Sequence, residues 1–387
     1  MWKRLFLSEE HEEIRRLVRQ FAERELQPHA EEWEAQEFMP SDVLRRMGEL
    51  GLLGLRYPAE YGGQGLDIFA SIVVYEELAR CRAAGPAAVA AVHAEIALPL
   101  ILKFGTEAQR RRYLVPGLRG EKIACLAITE PDTGSDVAAI RTRAVRDGDG
   151  WVLDGAKTFI SNGARADFAV VLARTSPEGG HRGLSHFIVE KGTPGFRVAR
   201  QLKKAGQHSA DTAELQFDQV RLPADALLGE ENRGFYQTMW QFQTERLIAA
   251  AVDVGRARVA LELAVAYAGT RQAFGGLLAE KQVIRHRIAD MATRVETARR
   301  LLYTTAWEVK SGGQPAAAIS MCKLVAANTA LSVADDALQI HGGYGYMQEY
   351  PVQRLWRDAR VSRIVAGTDE IMREIIGREV IGKGGRE

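Results

Sequence analysis

The stretch RIVAGTDEI, Arg363 to Ile371, sets two carboxylates, Asp369 and Glu370, directly behind a Gly-Thr pair between two helical segments. The residue before the pair, Ala366, has no functional group, so a reaction centred here needs its base from elsewhere. Another carboxylate stands at the start of an apolar helical run. QTERLIAAA places Glu245 and Arg246 just before uninterrupted small and apolar residues. As a surface ion pair they would contribute little. At the edge of an apolar pocket, desolvation would raise the Glu245 pKa, as a general base near neutral pH requires. The residues alone leave both readings open.

Other stretches have the chemistry to hold a flat, phosphorylated ligand. ITEPDTGSD, Ile128 to Asp136, follows a predicted strand. It offers hydroxyls on Thr129, Thr133 and Ser135, and a glycine that lets backbone N–H groups approach a ring edge or a phosphate. The same composition makes an ordinary turn. KTFISNG, Lys157 to Gly163, ends another strand; Phe159 and Ser161 lie two apart and face one side of it. That pairing supports either a planar cofactor or simple core packing. TRQAFGG and LQIHGGYGYMQEYP read as loops at helix ends. Arg271 can neutralise phosphate charge, and Gly342, Gly343 and Gly345 let backbone lie against a ligand. Helix capping by Gly and Arg accounts for the same residues.

These residues need elements to position them. Ser8 precedes EEHEEI, an N-cap with an acidic first turn, and Ile14, Leu17, Val18, Phe21 and Leu26 recur at helical spacing. Further helices are predicted over 41–50, 68–81, 87–103 and 107–115. Near Ile123 the pattern changes to short apolar runs. TRAVRDGDGWVLDGAKTFI reads as a hairpin, and FAVVLAR, SHFIVEK, FRVARQL and AELQFDQVRL as further strands. From about Gly234 long helical segments return, at 235–273, 282–311, 315–340 and 369–381, as in a bundle. The expected fold class is α+β: an N-terminal all-α domain (1–122), a middle β-barrel or sandwich (123–230) and a C-terminal four-helix bundle (231–387).

The 387 residues, 46% hydrophobic, suffice for two or three domains of roughly 150 residues. Lys+Arg of 51 against Asp+Glu of 50 gives no electrostatic reason to expect nucleic acid or an anionic membrane. Cys81, Cys125 and Cys322 are far apart and lack a CxxC spacing, so no disulfide frame and no metal site are expected. A reducing, cytoplasmic setting is the simplest one. The apolar run at the N-terminus stops at Ser8, too short for a signal sequence. The tract Ala87–Leu102 contains His93 and Glu95 and reads as a buried helix, not a membrane span. The chain lacks GxGxxG after a strand, GxxxxGK[ST], HExxH and GxSxG, which argues against nicotinamide Rossmann, P-loop, zincin and serine hydrolase chemistry.

Taken in order, ITEPDTGSD, FISNG, TRQAFG, QIHGGYGYMQEYP, RDAR and AGTDEI resemble the acyl-CoA dehydrogenase family over essentially the whole chain. The resemblance implies FAD as cofactor and oxidation of an acyl-CoA substrate to the trans-2-enoyl-CoA, in fatty acid or branched-chain amino acid degradation. It implies reoxidation by electron-transferring flavoprotein and a homotetramer with FAD sites shared between subunits. Leu126, Ile128, Thr129 and Ser135 would contact the flavin or nearby substrate. Phe159 and Ser161 stand where the family has Trp and Thr. Arg271, Phe274 and Gln282, with Gln339, Gly342 and Gly343, would reach the FAD of a neighbouring subunit, and Thr368 and Glu370 would cap the cofactor.

Many relatives carry the catalytic Glu immediately before Gly-Thr, where this chain has Ala366. The isovaleryl-CoA and long-chain branches carry it within a Glu-Arg pair on the long helix, and QTERL matches that pattern, which assigns the base to Glu245. Arg246, Ala366 and Gly367 would meet the substrate. The Ala366 N–H, with a flavin ribityl hydroxyl, would polarise the thioester carbonyl. Two departures concern the CoA portion: Ala210, with Ser209 beside it, stands where relatives have Ser, and Gln243 where they often have Asp. Alternatives within the resemblance are an enzyme of a non-fatty thioester, an oxidase, or a non-catalytic binding partner.

Overall fold

The computed structural model describes residues 5–384. Its first part is helical. Helix Glu9–Phe21 starts where Ser8 accepts from the His11 N–H and the His11 ring accepts from the Ser8 N–H. This reciprocal cap satisfies two otherwise orphaned donors. Helix Ile68–Leu78 is buried along its whole length. The helical tract 85–104 widens into a π-helical segment over Ala91–Ala97. The two titratable residues of that π-helical segment are buried and partnered: His93 with the Gly117 carbonyl and the Ala124 N–H, Glu95 with Arg56 and Ser71. This tract and Ala316–Tyr346 are long and apolar enough to cross a membrane, but both have most of their apolar windows buried inside the protein.

The middle part is one sheet of eight strands: β1 (Ala124–Ala127), β2 (Arg143–Asp147), β3 (Gly150–Ser161), β4 (Phe168–Arg174), β5 (Leu184–Glu190), β6 (Phe196–Gln201), β7 (Thr212–Leu222) and β8 (Leu227–Leu228). The order is β6-β7-β3-β2-β4-β5-β8, with β1 paired to β4. β1 runs parallel beside Phe168–Val171, whereas β2 meets β4 only at Arg174. The segment 128–142 joining β1 to β2 therefore leaves the sheet between these two pairings. Inside the sheet Trp151, Phe187, Phe217 and Leu215 form a core of their own.

Four long helices, Gly234–Ala268, Gln282–Lys310, Ala316–His341 and Asp369–Gly384, build the last part. The alanine-rich stretches are contact faces: Ala257, Ala260, Ala264 and Ala268 pack with Val333, Ala334 and Ala337. Gly255 lets the first long helix touch the N-terminal part, since a Cβ there would lie 2.4 Å from the Glu76 carbonyl oxygen. Glu76 then accepts from Arg299, and Glu77 from Arg258, tying the two helical parts together.

Three local expectations are corrected. The long helix ends at Ala268, not Ala273; β9 (Gln272–Ala273) and β10 (Gly276–Leu277) follow it as a small hairpin. Its turn residues Phe274 and Gly275 both have positive φ, as a tight two-residue turn requires. The stretch after Gly345 is not only loop: Pro351–Arg360 is a helix burying Val352, Leu355 and Ala359. Strand β3 does not alternate regularly to its end, because its pairing with β7 is irregular between Lys157 and Ile160.

Candidate active site

The helix Gly234–Ala268 begins against the sheet. Phe235, Met239 and Phe242 recur at helical spacing and pack with Ile128, Val137, Ile140, Leu172 and Leu184. The ITEPDTGSD loop is thereby fixed to the first turns of this helix. Glu245 follows one turn after Phe242 on nearly the same face. Gln241, one turn before Glu245, donates to the Glu95 carbonyl at 2.6 Å, which holds this helix against the π-helical segment.

Glu245 is half-buried, and its Oε2 is enclosed with no hydrogen-bond partner among the described residues. Burial pushes its pKa up to about 7, against the opposing positive charges of Arg246 and Lys323. A carboxyl near neutrality with a free, enclosed oxygen can take a proton from a weak acid brought beside it.

The two cations also shape the Gly-Thr turn. Arg246 donates from Nε to the Ala366 carbonyl at 3.3 Å, and Lys323 donates from Nζ to the Gly367 carbonyl at 2.6 Å. Ala366 (φ +56°) and Gly367 (φ +95°) both lie in the left-handed region, which for alanine is uncommon and costs energy. The Ala366 N–H has no partner among the described residues. Thr368 caps the next helix by accepting from the Ile371 N–H at 3.3 Å. Of the two following carboxylates, Asp369 is buried and bound to Arg363 and Asn328. Glu370 is exposed; its own N–H and then the Thr368 hydroxyl hold its pKa below the usual carboxylate range. Glu370 is thus shifted in the direction opposite to Glu245. Gln243 is half-buried and donates weakly to the Met239 carbonyl, while its Oε1 is enclosed and unpartnered.

On the sheet side, Ile128 is buried, Leu126, Thr129 and Ser161 are half-buried, and Ser135 is exposed. Phe159 has φ +58° and is 68% exposed, while the next residue, Ile160, is buried. A bulky residue in that conformation is a strained exception, and such strain clusters at ligand sites. Phe159→Gly is expected to leave the melting temperature of the FAD-free protein unchanged or slightly raised, while FAD binds at least tenfold more weakly. Calorimetry of both forms checks this.

The residues near the hairpin form a separate place. Arg271, His341, Gly342, Gly343, Tyr344 and Met347 line a cavity of about 550 Å³. Added Cβ atoms at Gly342 or Gly343 would point into open space. Arg271 is exposed, sits 5.6 Å from the Tyr344 ring centre, and has no carboxylate partner among the described residues. Phe274 is 97% exposed, and Gln282 and Gln339 are also exposed; none of these three lines the cavity. From Glu245 to the helix end at Ala268 is about 35 Å at 1.5 Å per residue, so this place is remote from Glu245 within one chain.

The structure thus gathers Glu245, Arg246, Ala366, Gly367 and Thr368 at one end of the long helix, with the Ile128–Ser135 loop docked nearby. It holds the Arg271 group apart. Three residues escaped the sequence reading as site components. Lys323 clamps Gly367, and the buried pair Lys157–Glu130 underlies the loop, with Nζ–Oε1 at 2.8 Å. Lys157 and Glu130 both lie inside stretches singled out for other residues.

The donor set suits FAD on three observations of this chain: a Thr129 N–H and hydroxyl unpartnered among the described residues, a strained exposed Phe159, and a Gly-lined cavity beside Arg271, which has no carboxylate partner among them. Comparison with known proteins agrees in every part of the chain. The profile of the acyl-CoA dehydrogenase N-terminal domain matches residues 8–121, that of the middle domain 125–220, and that of the C-terminal domain 232–381. An acyl-CoA dehydrogenase of Bacillus subtilis is 40% identical over 98% of this chain and all of its own length. The mitochondrial long-chain specific acyl-CoA dehydrogenase of Sus scrofa is 39% identical over 98% of this chain and 88% of its own. A crystal structure of a probable acyl-CoA dehydrogenase from Mycobacterium abscessus superposes with TM-score 0.94 and 42% identity, covering 97% of this chain and all of that one.

Proposed function

The chain belongs to the acyl-CoA dehydrogenase family, and on that premise we propose that Glu245 removes the α-proton of an acyl-CoA, giving the trans-2-enoyl-CoA, with electrons passed on to an electron-transferring flavoprotein. The protein is an oxidoreductase acting on CH–CH bonds, and its cofactor is FAD. The observation that carries the proposal is the free, enclosed Oε2 of Glu245, one residue from the guanidinium that holds the Ala366 carbonyl.

The residues divide the work. An α-proton beside a thioester is too weakly acidic for a carboxylate with an ordinary pKa of about 4.3. Burial makes Glu245 a stronger base. The Ala366 N–H, without a partner among the described residues in a turn held by Arg246 and Lys323, is suited to donate to the thioester oxygen as negative charge develops there. One such preorganised donor is worth about 3–4 kcal/mol. Leu126, Ile128, Thr129, Ser135, Phe159, Ser161, Thr368 and Glu370 would hold the cofactor in the same chain. Acceptance of a hydride from the β-carbon is the chemistry that bound FAD supplies. Gln243 and Ser135 would meet the pantetheine portion of CoA.

Arg271, Phe274, Gln282, Gln339, Gly342 and Gly343 would serve the FAD of a second copy. Their distance from Glu245 supports this, as does the 97% exposure of Phe274, an apolar ring that a partner subunit would cover. The reading includes a homotetramer in the cytoplasm. Transfer to an electron-transferring flavoprotein, measured against oxygen consumption over a panel of linear and branched acyl-CoAs, tests the overall reaction. A protein that holds FAD but turns over none of the panel would overturn it.

The titration of Glu245 gives a pH dependence. The base must be deprotonated, and its pKa is raised to about 7. In the free enzyme kcat/KM should climb about tenfold per pH unit below that value and level off above it. Its stability contribution has the opposite sense. A carboxyl with raised pKa favours the folded state below about pH 4.5 and loses that contribution as the pH rises through about 7.

A further inference from the structure

Lys157 is fully buried in β3, yet it takes no part in the chemistry above. Burying an ammonium is costly unless it is paired and hydrogen-bonded. Its Nζ donates to the Glu130 carboxylate and to the Ile128 carbonyl, both at 2.8 Å. Glu130 in turn accepts from the backbone N–H groups of Arg141 (2.6 Å) and Thr142 (2.9 Å). The pair therefore ties both ends of the 128–142 segment to the sheet. His186 on β5 also feels the Lys157 charge; burial pushes its pKa down to about 4, so it adds no competing charge near neutrality. Burial pushes the Lys157 pKa down to about 8, with Glu130 opposing that shift.

The hydrogen bonds around Thr129 are uneven. The Ile128 carbonyl is taken by the ammonium, the Thr129 carbonyl accepts from the Thr158 N–H at 2.9 Å, and the Glu130 N–H donates to the Thr133 carbonyl at 2.9 Å. The Thr129 N–H has no partner among the described residues. It belongs to the same peptide group as the Ile128 carbonyl. A carbonyl bound to a cation polarises its peptide and makes the N–H on the other side a stronger donor.

We propose that Lys157, held by Glu130, is a positioning residue that acts through the Ile128–Thr129 peptide on the bound flavin, strengthening the Thr129 N–H and favouring the flavin's two-electron-reduced form. This rests on the reading that the Ile128–Ser135 loop contacts the flavin. A polar group with only a structural role would be replaceable, since well-packed apolar residues often stabilise as well as a buried ion pair.

The test uses holoenzyme and two variants. Lys157→Met removes the charge and leaves Glu130 unpaired. The double variant Glu130→Gln with Lys157→Met removes both charges, so that folding does not depend on an orphaned carboxylate. The midpoint potential of bound FAD is measured against a reference dye, together with the FAD dissociation constant. The expected result is a shift of at least tenfold in the redox equilibrium toward oxidised flavin, about 30 mV for a two-electron couple. FAD bound at the wild-type potential in either variant overturns the inference. Failure of both variants to fold or to hold FAD also overturns it, by assigning the pair a structural role alone. Failure of the underlying site reading would appear separately, as Thr129→Pro holoenzyme, which lacks that N–H, with unaltered FAD affinity and unaltered potential.

Discussion

Glu245→Gln should keep its fold and its FAD and lose turnover by about 10²–10⁴-fold, the range for removal of a positioned general base. The substitution keeps shape and volume and cannot accept a proton. Because Oε2 has no partner among the described residues, the amide breaks no hydrogen bond at that atom. The neutral side chain also avoids the desolvation that raises the Glu245 pKa, so the variant should be at least as stable as wild type above about pH 7. Acyl-CoA should still bind, since the clamps of Arg246 on Ala366 and Lys323 on Gly367 are untouched. A large loss of affinity with little loss of kcat would mark Glu245 as a binding group instead.

The second large effect concerns two copies of the chain. Glu245→Gln and Arg271→Glu should each be nearly inactive alone, the first in chemistry and the second in FAD retention. Mixed assemblies of the two should regain activity. If each FAD spans two subunits, the Arg271→Glu subunit brings an intact Glu245, and its partner an intact Arg271. One of the two sites in each mixed pair is then complete, so random mixing returns about a quarter of wild-type activity. Co-expression with two different tags isolates the mixed species. Activity no greater than that of the separate variants would place Arg271 and Glu245 on the same site within one chain, against the length of the helix between them.

Much of this was legible in the sequence because it is local. Ser8 caps its helix as its type and the acidic turn imply. Strands β4, β5 and β7 follow their apolar runs, and the alanine faces of the bundle follow helical spacing. The Pro351–Arg360 helix was hidden by the glycines and tyrosines before it, although Pro at its first position and apolar residues at 352, 355 and 359 carry a helical signal. The end of the long helix was overrun although Gly269, its C-cap, marks the stop, because the TRQAF that follows has no further breaker until Gly275. Nothing local foretells that Phe274 sits in a tight turn.

The site was legible only unevenly. Glu245 stood out through its Glu-Arg setting, but the residues cannot show that one oxygen is enclosed; tertiary packing around the helix decides that. Lys157 and Glu130 are 27 positions apart, and a lysine in a strand ordinarily faces water. Only the return of the 128–142 segment across the sheet brings them together. Lys323 lies in the middle of an alanine-rich helix, where nothing in sequence ties it to Gly367.

Exchange at the substrate's α-carbon isolates the step assigned to Glu245 from everything after it. Holoenzyme is incubated in deuterated water with an acyl-CoA analogue that bears no hydrogen on its β-carbon, and deuterium at C2 is followed by mass spectrometry. Wild type should exchange the C2 hydrogen, faster as the pH rises through about 7, and Glu245→Gln with its FAD in place should not. Exchange by that variant at the wild-type rate would contradict the account.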